Sequence, residues 1–188
     1  LLAKKKLQQA FLSLLLVILL FYGVRTFIRV GNWRDSKILA QNDLKIQKDN
    51  YQLLSTLGAM YLDEKNYSLS TQYSKASVSI FPYWGTSYYN LGVSYHMNKK
   101  VHEAEKAYII AIRNAPASIN AYENLAILYV YNFPPEKAKK YATESLKKFP
   151  NSAKLWHVLA LSEQKLGNYS EATEAARMLQ LLSRPTTR

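Results

Sequence analysis

Two different hydrophobic patterns divide this chain. From Leu7 to Ile28 the sequence reads LQQAFLSLLLVILLFYGVRTFI, and its centre, Ala10 to Val24, carries no charge. A helix built from it is apolar on every face, which a surface helix of a globular domain is not. With Arg25 reaching along its stem towards water, the segment meets the roughly 17–25 residues that a bilayer-crossing helix needs. It predicts a transmembrane helix with basic flanks over residues 1–30, embedded in the lipid bilayer through residues 7–28, with Phe21 and Tyr22 at one interface. A secretory signal is the competing reading, since Lys4 to Lys6 resemble its charged head. However, Phe-Tyr-Gly-Val-Arg follows the apolar run where a small-x-small cleavage site would stand. Basic residues flank both ends, Lys4 to Lys6 before and Arg25, Arg29, Arg34 and Lys37 after, so the positive-inside rule assigns no orientation.

Beyond residue 50 the pattern changes to helical periodicity and repeats every 34 residues. Leu-Gly stands at 57–58 and 91–92, and Leu-Ala at 125–126 and 159–160. Four residues before the small one come Leu54, Tyr88, Tyr122 and Trp156; three after it come Tyr61, Tyr95, Tyr129 and, as the exception, Glu163. Pro82, Pro116 and Pro150 close three units at the same spacing. Each unit reads as two antiparallel amphipathic helices. The small residue lets the two backbones approach where they cross, with Tyr88, Tyr122 and Trp156 expected to fill the space beside it. The proline ends the second helix, because it lacks an N–H and clashes with the preceding turn.

A large-x-x-Leu-small-x-x-Tyr face, then a small residue (Ser70, Ala104, Ala138, Ala172), then Pro, at this period resembles the tetratricopeptide repeat (TPR). Units fall at 51–84, 85–118, 119–152 and 153–186. Gly31-Asn32-Trp33, with Ser36, Ala40 and Lys48, follows the register of Gly167-Asn168-Tyr169, so residues 31–50 read as a half repeat holding only a second helix. The chain departs from the family pattern at Ser70, at Pro134-Pro135 opening a second helix, and at Tyr73, one place early. The resemblance implies an all-α fold, a helical-hairpin solenoid coiled as a right-handed superhelix, preceded here by the transmembrane helix.

In that family the concave side, lined by the first helices, binds proteins or peptides. The matching positions here include Gln52, Ser55, Lys154 and Lys165, and a candidate site of Tyr89, Asn90, His96, Asn120, Glu123, Asn124, Tyr131 and His157, with Asn90 and Asn124 foremost. The family's carboxylate clamp needs Lys and Asn where this chain has Ser55 and Ala59, or Tyr89 and Val93, so chaperone tails are disfavoured partners.

Composition narrows the function further. No cysteine occurs, which removes disulfides, thiolate metal sites and cysteine nucleophiles. His96, His102 and His157 have no second ligand at metal spacing, and no phosphate loop or nucleophile elbow is present. We therefore expect no catalytic residue, metal or cofactor within these residues, and no enzyme activity of this chain itself. The net charge is +12, and the first 50 residues carry nine basic against three acidic side chains, which places much of the charge beside the apolar span. The lysines of 137–148 alternate with Glu136 and Glu144 as a solvated face does, so nucleic acid is not an expected partner. Met178, Leu179, Leu181 and Leu182 on the last helix have no later helix to cover them and suggest self-association or a partner patch.

The chain opens on Leu1, as a processed product or a piece of a longer protein would. The join Arg25-Thr-Phe-Ile-Arg-Val-Gly-Asn-Trp-Arg-Asp-Ser, where an apolar helix runs into repeats, resembles the carboxyl-terminal part of the transmembrane and TPR-containing O-mannosyltransferase-like proteins. This second resemblance rests on about thirty residues and is less specific than the repeats. It implies a multi-spanning glycosyltransferase whose catalytic part lies upstream, with these repeats positioning the acceptor on the extracytoplasmic side. Asn-Tyr-Ser sequons at Asn66 and Asn168 permit that side. Two expectations stand: a membrane-anchored scaffold for protein interactions, or the acceptor-positioning end of such an enzyme.

Overall fold

The computed structural model describes Ile18, Leu20, Tyr22 and residues 36–183. The chain divides into two compact units, Leu1–Lys48 and Asp49–Arg188. In the first, Ile18, Leu20 and Tyr22 are helical and exposed, and α1 spans Ser36–Ile46, inside the expected half repeat. Among the described residues no helix is long and apolar enough to cross a membrane. The segment 7–28, expected to do so, lies outside them except at those three positions.

The second unit holds eight helices among the described residues: α2 (Tyr51–Asp63), α3 (Tyr67–Ile80), α4 (Gly85–Met97), α5 (Val101–Asn114), α6 (Ile119–Asn132), α7 (Pro135–Lys148), α8 (Ala153–Lys165) and α9 (Tyr169–Ser183). Each packs on the next. The first helices α2, α4, α6 and α8 also approach in succession, whereas among the described residues the backbones of the second helices stay apart, and only a long side chain, Lys137 of α7 reaching Glu105 of α5, is seen to bridge two of them. Helices that approach on one side and splay on the other make a curved array, with the first helices on its inside. The fold is an all-helical solenoid of hairpins.

Local chemistry sets the helix ends. Asn50 and Asn66 cap α2 and α3 by accepting backbone N–H bonds, at 3.1 Å from Gln52 and Leu53 and at 3.2 Å from Leu69. Between the helices of a hairpin the turn residue is left-handed at Lys65 (φ 59°), Lys99 (φ 59°) and Gly167 (φ 78°), and only glycine adopts this without strain. The third unit avoids that turn, because Pro135 occupies the first position of α7 and Pro134 caps it. Second helices stop two residues before each proline. Phe81, Ala115 and Phe149 have left the helical region (φ −131°, −136° and −127°), because the proline ring disfavours a helical backbone at its predecessor. The proline carbonyls then bind later groups: Asn114 Nδ2 donates to Pro82 O at 3.1 Å, Lys148 Nζ to Pro116 O, and Trp156 Nε1 to Pro150 O at 2.8 Å. In the fourth unit the register of Asn114 and Lys148 falls on Leu182, which has no donor, and the indole serves instead.

The core shows why the small column is small. Leu57, Leu125, Leu128 and Leu155 are fully buried, each contributing about 1.5–3 kcal/mol. A Cβ on Gly92 would lie 2.5 Å from two ring carbons of Tyr108, the largest fully buried side chain. A Cβ on Gly58 would lie 2.5 Å from Ser74 Oγ. Ser74, Tyr108, Ala142 and Ala176 are one column of the second helices, so glycine faces the ring, and alanine at 126 and 160 shares its register with alanine. The filler at the crossing is thus Tyr108, from a second helix. Tyr88, Tyr122 and Trp156, expected there, are only half-buried, Tyr122 packing edge-on against Phe149 at 4.9 Å. The first two units are joined through buried hydroxyls: Ser87 Oγ donates to Ser77 Oγ (2.7 Å) and Ser94 to Ser70 (2.9 Å), while Ser77 in turn donates to Tyr51 O (2.8 Å) within the first unit.

Gly92→Ala forces a methyl into a ring that cannot move, and is expected to cost about 1–3 kcal/mol despite alanine's better helix propensity. Gly58→Ala meets only a rotatable hydroxyl and should stay within about 1 kcal/mol of wild type. Urea denaturation followed by circular dichroism checks both, and equal losses would contradict this account of the crossing.

Candidate protein-binding face

The inside of the array is built from one stripe per first helix, at i, i+4, i+7 and i+8. On α4 the stripe is Tyr89, Val93, His96 and Met97; on α6 it is Glu123, Ile127, Val130 and Tyr131; on α8 it is His157, Leu161, Gln164 and Lys165.

The predicted site residues divide into two groups there. Asn90, Asn124 and Glu123 face the seams between units. Asn90 is 2% exposed and donates from Nδ2 to Ser55 O of the preceding unit at 3.2 Å. Asn124 Nδ2 donates to Tyr89 Oη at 3.2 Å, which half-buries both side chains. The Glu123 carboxylate accepts from Ser152 Oγ at 2.7 Å and from Lys154 Nζ at 2.9 Å. These polar groups are engaged inside the array and tie each unit to the next. The second group is open to solvent. Tyr131 is 63% exposed, and Asn120, His157 and Gln52 are exposed with it. His96 is half-buried, and burial pulls its pKa down. Lys165 Nζ donates to Val130 O and stands over the Tyr131 ring, 5.6 Å from its centroid.

Several contributors escape a reading of charged and amide residues. Val93, Ile127 and Leu161 are half-buried and, with Met97 (53% exposed), give the inside of the array an apolar floor. Glu163, the exception in the tyrosine column, is buried and pairs with Lys139 at 3.0 Å while accepting from Asn168 Nδ2 at 2.8 Å. Alongside, Lys137 lies 2.6 Å from Glu105 and over the rings of Tyr129 and Phe133, at 4.2 and 4.0 Å. Burial alone would raise the Glu105 carboxyl, but bonds from Lys137 and Tyr129 outweigh it and hold it below the usual range. At the far end, α8 and α9 leave an open groove of about 400 Å³ lined by His157, Ala160, Leu161, Gln164, Tyr169, Ala172, Thr173, Ala176 and Leu179. One unit earlier, the matching Glu123, Ala126, Ala138 and Ala142 are buried in the seam that α8 joins. Among the described residues no three His, Asp or Glu side chains gather as a metal site requires.

This geometry is like that of a tetratricopeptide-repeat array, and solved structures share the fold. MamA (residue 41 to the end) from Desulfovibrio magneticus RS-1 superposes with a TM-score of 0.73 at 16% identity, covering 87% of this chain and 93% of that one. YrrB, described as a TPR protein with an unusual peptide-binding site, gives 0.67 at 13% identity, covering 77% and 74%. Protein O-mannosyl-transferase TMTC3 of Homo sapiens is 28% identical over 138 residues, which is 66% of this chain but 15% of that protein. The chain thus spans about 15% of the length of the curated relatives it matches. No protein-family model matches the chain.

Because the Asn90 amide ties two units together, Asn90→Ala should lower stability by about 1 kcal/mol without lowering helix content, as measured by urea midpoint and far-UV circular dichroism. An unchanged midpoint would show that this bond contributes nothing to the seam.

Proposed function

We propose that this protein is a membrane-anchored interaction scaffold that holds a protein or peptide segment on the inside of its repeat array and is not itself catalytic. The observation that carries this reading is the exposed Tyr131, beside the half-buried Ile127 and Leu161, on the side where the first helices converge. Aromatic and apolar surface with amides at its margin suits capture of a segment that brings its own side chains. The proposed anchor is residues 7–28, whose apolar run and basic flanks suit lipid and anionic headgroups. The groove between α8 and α9 supports a subsidiary role in self-association through the last helix.

A second reading is favoured by one observation, the 138-residue match to an O-mannosyl-transferase. On that reading the array is the acceptor-positioning end of a multi-spanning glycosyltransferase, extracytoplasmic, with the catalytic part upstream. Both readings use the same inner face.

Affinity capture from membranes tests them together. A Tyr131→Glu, His157→Glu variant should lose the proteins that wild type retains, while Ile109→Glu on the outer helix α5 should keep them. Equal capture by all three would remove the inner face from the function.

A further inference from the structure

Resting on the inner face as the binding surface, a more specific ligand follows from its spacing. First helices of successive units pack directly, α4 on α6 and α6 on α8, which sets their axes about 8–10 Å apart. Each presents one half-buried aliphatic side chain in the same column, Val93, Ile127 and Leu161. The column four residues on is Met97, Tyr131 and Lys165, the first two 53% and 63% exposed. The face therefore repeats an apolar contact at an interval of about 8–10 Å.

A polyproline II segment rises about 3.1 Å per residue with three residues per turn, so every third side chain returns to one face after about 9.3 Å. An extended β segment brings side chains to one face about every 6.7 Å and falls out of step by the second unit. A helix matches only by spanning two turns, and it brings no unpaired backbone carbonyls. Polyproline II has carbonyls without internal partners. Exposed donors stand beside the apolar column to receive them, the Asn120 amide and the Tyr131 hydroxyl among them. Charge adds polarity: the column that holds Lys165 on α8 begins with exposed Asp63 on α2.

We infer that the inside of α4, α6 and α8 takes a polyproline II segment carrying an apolar side chain at every third residue, with its acidic end over α8. The pre-formed ligand loses little entropy on docking, and the rings of Tyr89 and Tyr131 offer flat surface to pyrrolidine rings.

The test is fluorescence anisotropy with two labelled synthetic peptides of equal composition. One repeats Leu-Pro-Pro and ends in aspartates; the other gathers its leucines in one block. The triplet peptide should bind, lose about tenfold in affinity with Ile127→Lys and with the fold-safe surface change Tyr131→Ala, and be unaffected by Ile109→Lys. Failure of the triplet peptide to bind overturns the inference. Equal binding of the block peptide, still lost with Tyr131→Ala, also overturns it but leaves the inner face as a binding surface. Binding that neither inner change affects removes that face altogether.

Discussion

The crossing of two helices inside each hairpin is the constraint on which the rest of this protein depends. Two backbones approach closely only where one of them gives up side-chain volume, and the chain balances that loss locally. Glycine at 92 faces the Tyr108 ring, glycine at 58 faces Ser74, and alanine at 126 shares its register with Ala142. Interiors are packed so closely that one methyl in the wrong place has nowhere to go. Once the crossing is set, the first helix of each unit is delivered to the same side, and the next unit stacks on it. Proline then ends three of the second helices by keeping its predecessor out of the helical region, and its carbonyl receives a donor from the following unit. Each unit is thus bonded to its neighbour by chemistry that recurs, with substitutions, along the array.

That stacking decides which inner side chains remain for a ligand. Amides and carboxylates at the unit boundaries are used up there: Asn90 on the Ser55 carbonyl, Asn124 on the Tyr89 hydroxyl, Glu123 between Ser152 and Lys154. A buried polar group without a partner costs more than a satisfied one contributes, so these bonds are structural requirements of the seam. What stays open is an apolar floor with Tyr131, Asn120 and His157 at its edge, and a cationic end on α8. Unpartnered apolar surface in a periodic array is suited to a periodic ligand.

Much of this was legible from the residues alone. The period, the small column and the helix-ending prolines each follow from local backbone chemistry, which is written in neighbouring residues. Side-chain direction is not written there. Asn90 and Asn124 share a helix register with residues facing the inside, and only the position of the preceding unit shows that their amides turn into the seam. Tyr108 was missed as the crossing filler because it lies sixteen residues after Gly92, on the other helix. The groove between α8 and α9 is visible only by contrast with the covered seam one unit earlier. The apolar run 7–28 was the plainest signal in the chain, and it lies almost wholly outside the described residues.

The central claim is that the converging side of the first helices is the working surface and the splayed side is not. Site-specific photo-crosslinking tests it most directly, with a photoreactive phenylalanine analogue placed at Tyr131 on the inside and at Ile109 on the outside of the array. Crosslinks to a partner from Tyr131 and none from Ile109 are the predicted result. Crosslinks from Ile109 alone would contradict it.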